Sequence, residues 1–381
     1  MIIKEVLASK ILDSRGEETI KVSVNGKEAS APNGKSTGKY ETKSYNESID
    51  WNIDAINSLK FDFPINSFSD LKKVENLICS KFKFRFARQF GANALYALES
   101  AILKAIAKSK NKQLWQIIDP NARMLPVPVG NAIGGGMHSR RFKIHPTIQE
   151  FLLIPNSSSV KENVELMNNI YDEIGIILNT RDKNDEGAWQ AAISNEEALE
   201  ILSKFKSKTR IGVDIAPSSF FRNGEYHYID KILSPEEQIE YTNSLTKKYN
   251  LFYVEDPIQQ EDFENFAKIS INRSPRTLVV GDDLTATQLG RLKEAIKNNS
   301  INAMIIKPNQ NGSLLELKKI FALCKENNIK TILSHRSGET MDDALADYAF
   351  GFGADFIKTG ISTAWRQAKL QRMIGIERLF L

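Results

Sequence analysis

The 381-residue sequence predicts an α/β barrel preceded by a smaller α+β domain, and three observations carry that prediction. Short apolar runs recur from IGVDIA through FYVEDP, LVVGDD, MIIKPN and TILSHRSGET to FIKTG. Polar residues close these runs at Asp214, Glu255, Asp282, Lys307, His335 and Lys358, in steps of 41, 27, 25, 28 and 23 residues. One strand with its returning helix takes about that many residues, and parallel strands need such a crossover. The length completes the case: an α/β barrel takes about 200 to 250 residues as one unit, which leaves room for one further domain. The expected division is 1–125 for the N-terminal α+β domain and 126–381 for the barrel.

Taken in chain order, Met1 to Leu7 and Glu18 to Val24 read as strands, followed by a Gly-containing loop at 31–42. From Gly91, the positions Leu95, Leu98, Ile102 and Ile106 predict a helix with one buried stripe. LPVPV at 125–129 interrupts regular structure with its prolines and marks the domain boundary. In the long step from Asp214 to Glu255, GEYHYI predicts an inserted hairpin. Ser313 and Glu316 form an S-x-x-E capping box ahead of the helix face of Leu317, Ile320, Phe321 and Cys324.

Composition excludes several classes. A hydrophobic fraction of 41%, a charged fraction of 26% and a net charge of +4 describe an ordinary globular chain. No basic run is interleaved with aromatics, so nucleic acid is not an expected partner. Phosphate-bearing small molecules are compatible with the mild positive charge. MIIKEVLASK is too polar for a signal peptide and no run of about 18 apolar residues could cross a bilayer, so a cytoplasmic enzyme without a membrane partner is expected. Cys79 and Cys324 are isolated, which suits packing roles in a reducing compartment.

Parallel strands deliver their closing residues to one end of a barrel, so three carboxylates, a lysine, a His-Arg-Ser group and a second lysine converge there. That set suggests a divalent metal facing a base. Asp214, Glu255 and Asp282 are hard oxygen donors, which favours Mg²⁺ over zinc; the competing reading makes them helix caps or salt-bridge partners. A lysine that closes an apolar strand, as Lys307 does, commonly snorkels to the surface. As a base facing a metal it must be neutral, so a lowered pKa is expected, with the metal and Lys358 as the nearby cations.

The motifs ILDSRG, GKSTG, GANA, PVPVGNAIGGGMH, QEF, DEGAW, VEDP, GDDLTAT, IKPNQNGS, SHRSGET and IKTG, spread over nearly the whole chain, resemble those of the enolase family. The resemblance implies an N-terminal α+β capping domain and a TIM-like αβ barrel with an irregular start. It implies a hydro-lyase, phosphopyruvate hydratase, that reversibly dehydrates 2-phospho-D-glycerate to phosphoenolpyruvate in glycolysis and gluconeogenesis, with two Mg²⁺ per active site. Lys307 would be the base and Glu186 the acid. Asp214, Glu255 and Asp282 would hold one Mg²⁺ and Ser36 would help hold the second; in the pairs Glu255-Asp256 and Asp282-Asp283 the first residue is assigned. Gln149, Glu150, His138, His335 and Lys358 would contact substrate, and Arg336 and Ser337 would clamp phosphate. A homodimer or higher homo-oligomer is also implied. Departures include Glu17-Glu18 after SRG, Lys35 before the loop serine, Gly134 before the paired glycines and an insertion carrying Arg140, Arg141, Lys143 and His145. The added cations are expected to act on loop closure or phosphate affinity. Two alternatives are a superfamily paralogue acting on another phosphorylated or sugar acid, and a catalytically idle enolase-like binding protein.

Overall fold

The computed structural model describes residues 1–35, 38–136, 139 and 143–380. Strands β1 (Val6–Leu12), β2 (Glu18–Val24) and β3 (Lys27–Ser30) form an antiparallel sheet. Asn25 and Gly26 join β2 to β3 with φ of 48° and 74°, as a two-residue hairpin turn requires. The first strand starts later than the sequence suggests. Backbone N–H groups of Lys4 and Glu5 donate to Asn25 Oδ1 at 2.8 and 3.2 Å instead of to a neighbouring strand.

Helices α1 (Ile49–Asn57), α2 (Leu71–Phe82), α3 (Ala92–Ser109) and α4 (Leu114–Ile118) complete the N-terminal layer. The expected single stripe on α3 is an underestimate, because the helix is buried almost all round. It packs on β2 and β3 on one side and on α4 and the barrel's short helix at Pro308–Asn311 on the other. Gly91 caps it with φ of +105°, and a Cβ there would lie 2.7 Å from the Tyr45 Cα.

The barrel consists of β4 (Val127–Gly134), β5 (Glu150–Ile154), α5 (Val160–Leu178), α6 (Asn195–Ser203) and β6 (Arg210–Asp214), then a small sheet of β7 (Phe221–Arg222), β8 (Glu225–His227) and β9 (Ile232–Leu233). After α7 (Pro235–Tyr249) come β10 (Tyr253–Glu255), α8 (Phe263–Asn272), β11 (Leu278–Gly281), α9 (Leu289–Asn298) and β12 (Ala303–Ile306). The chain finishes with α10 (Pro308–Asn311), α11 (Leu314–Glu326), β13 (Lys330–Ser334), α12 (Ala344–Gly351), β14 (Phe356–Lys358) and α13 (Ala364–Glu377). The eight-stranded barrel closes in the order β4-β5-β6-β10-β11-β12-β13-β14. Only β5 runs against its neighbours, which is the irregular start. The expected hairpin is present, turned by Asn223-Gly224, and extended to three strands by β9.

Two local readings need correction. LPVPV does not break regular structure, since Pro128 lies within β4. There β4 pairs only with β14, its pairing with β5 starting at Gly130, and Val127 supplies the N–H to Asp355 O. A missing amide on the unpaired side is therefore tolerated. Ser313 caps α11 through the Glu316 N–H at 3.1 Å, but the reciprocal half of the box does not form. The Ser313 N–H goes to Asn311 Oδ1 at 3.3 Å.

The topology places the site. Asp214, Glu255 and Lys358 end β6, β10 and β14, while Asp282, Lys307 and His335 follow β11, β12 and β13 by one residue. Because β5 is reversed, its first residue, Glu150, pairs with Asp214 at the same rim.

Gly91→Ala is expected to lower stability by about 2–4 kcal/mol, from left-handed strain plus overpacking. Urea unfolding would check this; an unchanged midpoint would contradict it.

Candidate active site at the barrel rim

The rim encloses a cleft of about 270 Å³ bounded by both parts of the chain. At its floor the Lys358 ammonium lies 2.8 Å from Glu150 Oε2, 3.2 Å from Asp214 Oδ2 and 2.8 Å from Glu255 Oε2. All four side chains are buried, so water contributes little to solvating them. Burial, only partly offset by Lys358, pushes Glu150 up to about 8 and Asp214 up to about 7. Burial and then repulsion from Asp214 push Glu255 up to about 8, despite Lys358. The acids outnumber the cation among them.

The second lysine sits one strand group away. Lys307 Nζ is 2.5 Å from Asp282 Oδ2. Burial opposes its charge, but attraction to Asp282 prevails and the pKa rises. The lowered pKa expected from the sequence is thus not what the protein's own groups produce. Among the largest influences on it, the cation that acts in the expected direction is Arg336. The Lys307 N–H donates to Thr287 Oγ1 at 2.9 Å, and Thr287 donates to Gln310 Oε1 at 2.6 Å. Those bonds connect the GDDLTAT and KPNQ segments structurally.

Of the sequence-selected acids, Asp214 and Asp282 line the cleft while Glu255 lies beneath it. Among the described residues, the acids whose oxygens gather within 4.8 Å of one another are Asp256, Asp282 and Asp283. Asp256 is committed locally: its oxygens accept the N–H groups of Asp282 at 2.9 Å and Asp283 at 2.7 Å. It shapes the turn from which Asp282 projects.

The cleft is also lined by Gln149, Glu186, His335, Arg336 and Ser337. The Glu186 carboxyl lies beside Glu150 and adds to the upward push on its pKa, after burial and against the pull of Lys358. Burial, then the positive charge of Arg366, holds His335 well below its ordinary value, so its ring is neutral. Arg336 contacts Glu41 at 3.0 Å and Asn309 Oδ1 at 3.2 Å. Asn309 continues through Asn93 to Asn33, each step at 2.9 Å. Ser337 Oγ accepts from the Lys35 N–H at 2.7 Å and from Arg15 at 3.2 Å.

Glu41 and this asparagine chain escaped the sequence reading. Asn93 and Asn309 lie inside GANA and IKPNQNGS, and Asn33 and Glu41 in the Gly-containing loop at 31–42, with no spacing to the barrel strands to single them out. Ser36, His138, Arg140 and Arg141 lie outside the described residues.

Comparison with known proteins completes the picture. The family described as "Enolase, N-terminal domain" matches residues 3–118, and "Enolase, C-terminal TIM barrel domain" matches residues 122–380. The enolase of Methanocorpusculum labreanum is 38% identical, covering 99% of each chain. Those of Thermoplasma acidophilum, 36% identical over 98% of each chain, and Archaeoglobus fulgidus, 34% identical over all of this chain and 98% of the other, are similar. The chain belongs to the enolase family. It is therefore a lyase acting on a small molecule, and among the described residues no helix is long and apolar enough to cross a membrane.

The rim of this enolase also fits a hard cation. Asp282 Oδ1 is buried without a hydrogen-bond partner among the described residues. The raised pKa values of Glu150, Asp214 and Glu255 mark a deficit of positive charge that a divalent ion would relieve.

Asp256→Ala is expected to leave one buried and one part-buried N–H group unpaired and to lower stability by about 2–4 kcal/mol. Calorimetric unfolding would check the loss; a wild-type melting temperature would show that those bonds carry no weight.

Proposed function

We propose that this enolase is phosphopyruvate hydratase, reversibly dehydrating 2-phospho-D-glycerate to phosphoenolpyruvate with Mg²⁺, as in glycolysis and gluconeogenesis. The observation that carries the reading is the meeting, in one cleft, of two lysines on carboxylates, Glu150 among those on Lys358, with Glu186 beside Glu150 in the cleft lining. Asp214, Glu255 and Asp282 would hold one Mg²⁺, and Ser36 would contribute to a second. When bound, the ion supplies positive charge to the substrate carboxylate as charge builds there.

Lys307 takes the proton from C2 of the substrate, which requires its contact with Asp282 to open and the ammonium first to give up a proton to solvent, so that the neutral amine acts as base. Lys358 keeps its proton and faces the growing negative charge on the substrate carboxylate. Glu186 gives its proton to the hydroxyl leaving C3, so that the C2–H and C3–O bonds break and water departs. Glu150 and Gln149 hold that hydroxyl. His335, being neutral, offers a hydrogen bond without a charge, as His138 would beside it. Arg336 and Ser337 face the phosphate, Arg336 by exchanging Glu41 for phosphate oxygens. The family resemblance also supports a homodimer or higher homo-oligomer, a cytoplasmic location and the domain boundary at residue 125.

The test is absorbance of the conjugated enol phosphate formed from 2-phosphoglycerate and Mg²⁺. Chelation should abolish the signal, and Lys307→Ala should reduce kcat by about 100- to 10,000-fold. Activity that survives either treatment would overturn the mechanism. Mg²⁺ binding without turnover would favour a paralogue with another phosphorylated or sugar acid as substrate.

A second expectation concerns pH. Ordinary carboxylates titrate near about 4, and in the folded protein burial moves Glu150, Asp214 and Glu255 to about 8, 7 and 8. Between those limits the native state binds more protons than the unfolded state, so their contribution to stability falls as pH rises. Mg²⁺ should therefore raise the melting temperature more at about pH 8 than at about pH 6. Equal shifts would contradict the assignment of these acids to the ion's surroundings.

A further inference from the structure

Tyr253 stands directly beneath the proposed cation site, and its hydroxyl has no part in the chemistry proposed for the rim. It opens the three-residue strand β10, and Glu255 closes it. Residues two apart on a strand share a face. The ring is packed inside the barrel with Leu152, Ile154, Val280 and Ile305, and both Tyr253 and Glu255 are 0% exposed. From that apolar interior the hydroxyl donates to Glu255 Oε2 at 2.5 Å. A phenol wholly buried among aliphatic side chains costs free energy unless its O–H is satisfied, and a carboxylate is the strongest acceptor available.

The neighbouring strand is built around this residue. Gly212 of β6 lies opposite Tyr253 in the parallel register, and a Cβ there would lie 2.6 Å from both the Tyr253 Cβ and its carbonyl oxygen. A side chain at 212 would displace the ring and carry the hydroxyl away from Glu255. Two strands therefore cooperate to hold one oxygen atom in place.

Glu255 needs such a hold. Its carboxylate lies below the cleft surface, and its other partner is Lys358, which is shared with Glu150 and Asp214. Lys358 can turn toward substrate only if Glu255 keeps its orientation by some other contact. The Tyr253 hydroxyl, fixed by a rigid ring with no solvent route, is that contact. Groups that orient a ligand from outside the coordination sphere commonly change metal affinity by about 10- to 100-fold.

We propose that Tyr253 is a positioning residue for the divalent cation, acting through Glu255: it locks one carboxylate oxygen from below and leaves the group aimed at the cleft. The inference rests on the assignment of Glu255 as a cation ligand made above. It assigns Tyr253 no contact with substrate.

The test is Mn²⁺ binding to substrate-free protein, followed by the paramagnetic signal of the free ion, for wild type, Tyr253→Phe, Glu255→Gln and the double variant. Tyr253→Phe removes one oxygen and keeps the ring, and its metal-free melting temperature reports whether the fold is retained. The expected result is a Kd raised about 10-fold or more by Tyr253→Phe, a larger rise for Glu255→Gln, and little added by Tyr253→Phe on the Glu255→Gln background. A purely structural tyrosine would lower the metal-free melting temperature and leave the Mn²⁺ Kd unchanged, which would overturn the proposal. Should Tyr253→Phe not fold, the proposal is lost as well, because the hydroxyl would then serve the fold. Failure of Glu255→Gln to weaken binding would instead overturn the ligand assignment and the inference with it, so the two failures are distinguishable.

Discussion

The buried ammonium of Lys358 is the point on which the rest of the rim depends. It draws together Glu150 from β5, Asp214 from β6 and Glu255 from β10, and it comes itself from β14. Four of the eight barrel strands thus end on one positive charge. Removing one partner of a buried ion pair costs about 3–5 kcal/mol because the other charge is left without compensation. Here a single amine serves three acids, and the shortfall appears as carboxyls that hold protons far above their ordinary range. A divalent ion bound there would relieve that shortage.

The same logic explains the reversed strand. A carboxylate reaches the catalytic rim from the end of a parallel strand or from the beginning of an antiparallel one. β5 uses the second route, and Glu150 comes to lie opposite Asp214. The irregular start of the barrel thus brings one more carboxyl group to the rim, beside Glu186. On the other side, the Asn33–Asn93–Asn309 chain fastens the N-terminal layer to the barrel and ends on the charged Arg336, which Glu41 of the same layer also holds.

The charge state of Lys307 shows how far local reasoning reaches. A lysine at the end of an apolar strand facing acids is legible in MIIKPN, but whether its pKa rises or falls depends on which neighbour is nearest. Asp282 is nearest, and the amine stays charged in the protein alone. Helix α3 makes the same point in packing. Its periodicity shows one apolar face, and only the layers on both sides reveal that the small residues between the larger ones are buried as well.

What the sequence by itself determined is whatever depends on chain spacing: the strand–helix alternation, the polar residue closing each strand, the hairpin inserted after β6, and the motifs that identify the family. Strand period and crossover length are local quantities, so they can be read from one chain. Only the tertiary structure decided which acid shares which lysine, why Asp256 is committed to backbone amides, how Glu41 comes to neutralise Arg336, and why a tyrosine lies beneath Glu255. All but the last are distances between segments tens to hundreds of residues apart, and Tyr253, two residues from Glu255 on one strand, meets it only because the barrel closes around both. Electrostatic energy in a buried site varies too steeply with distance to be inferred from order along the chain.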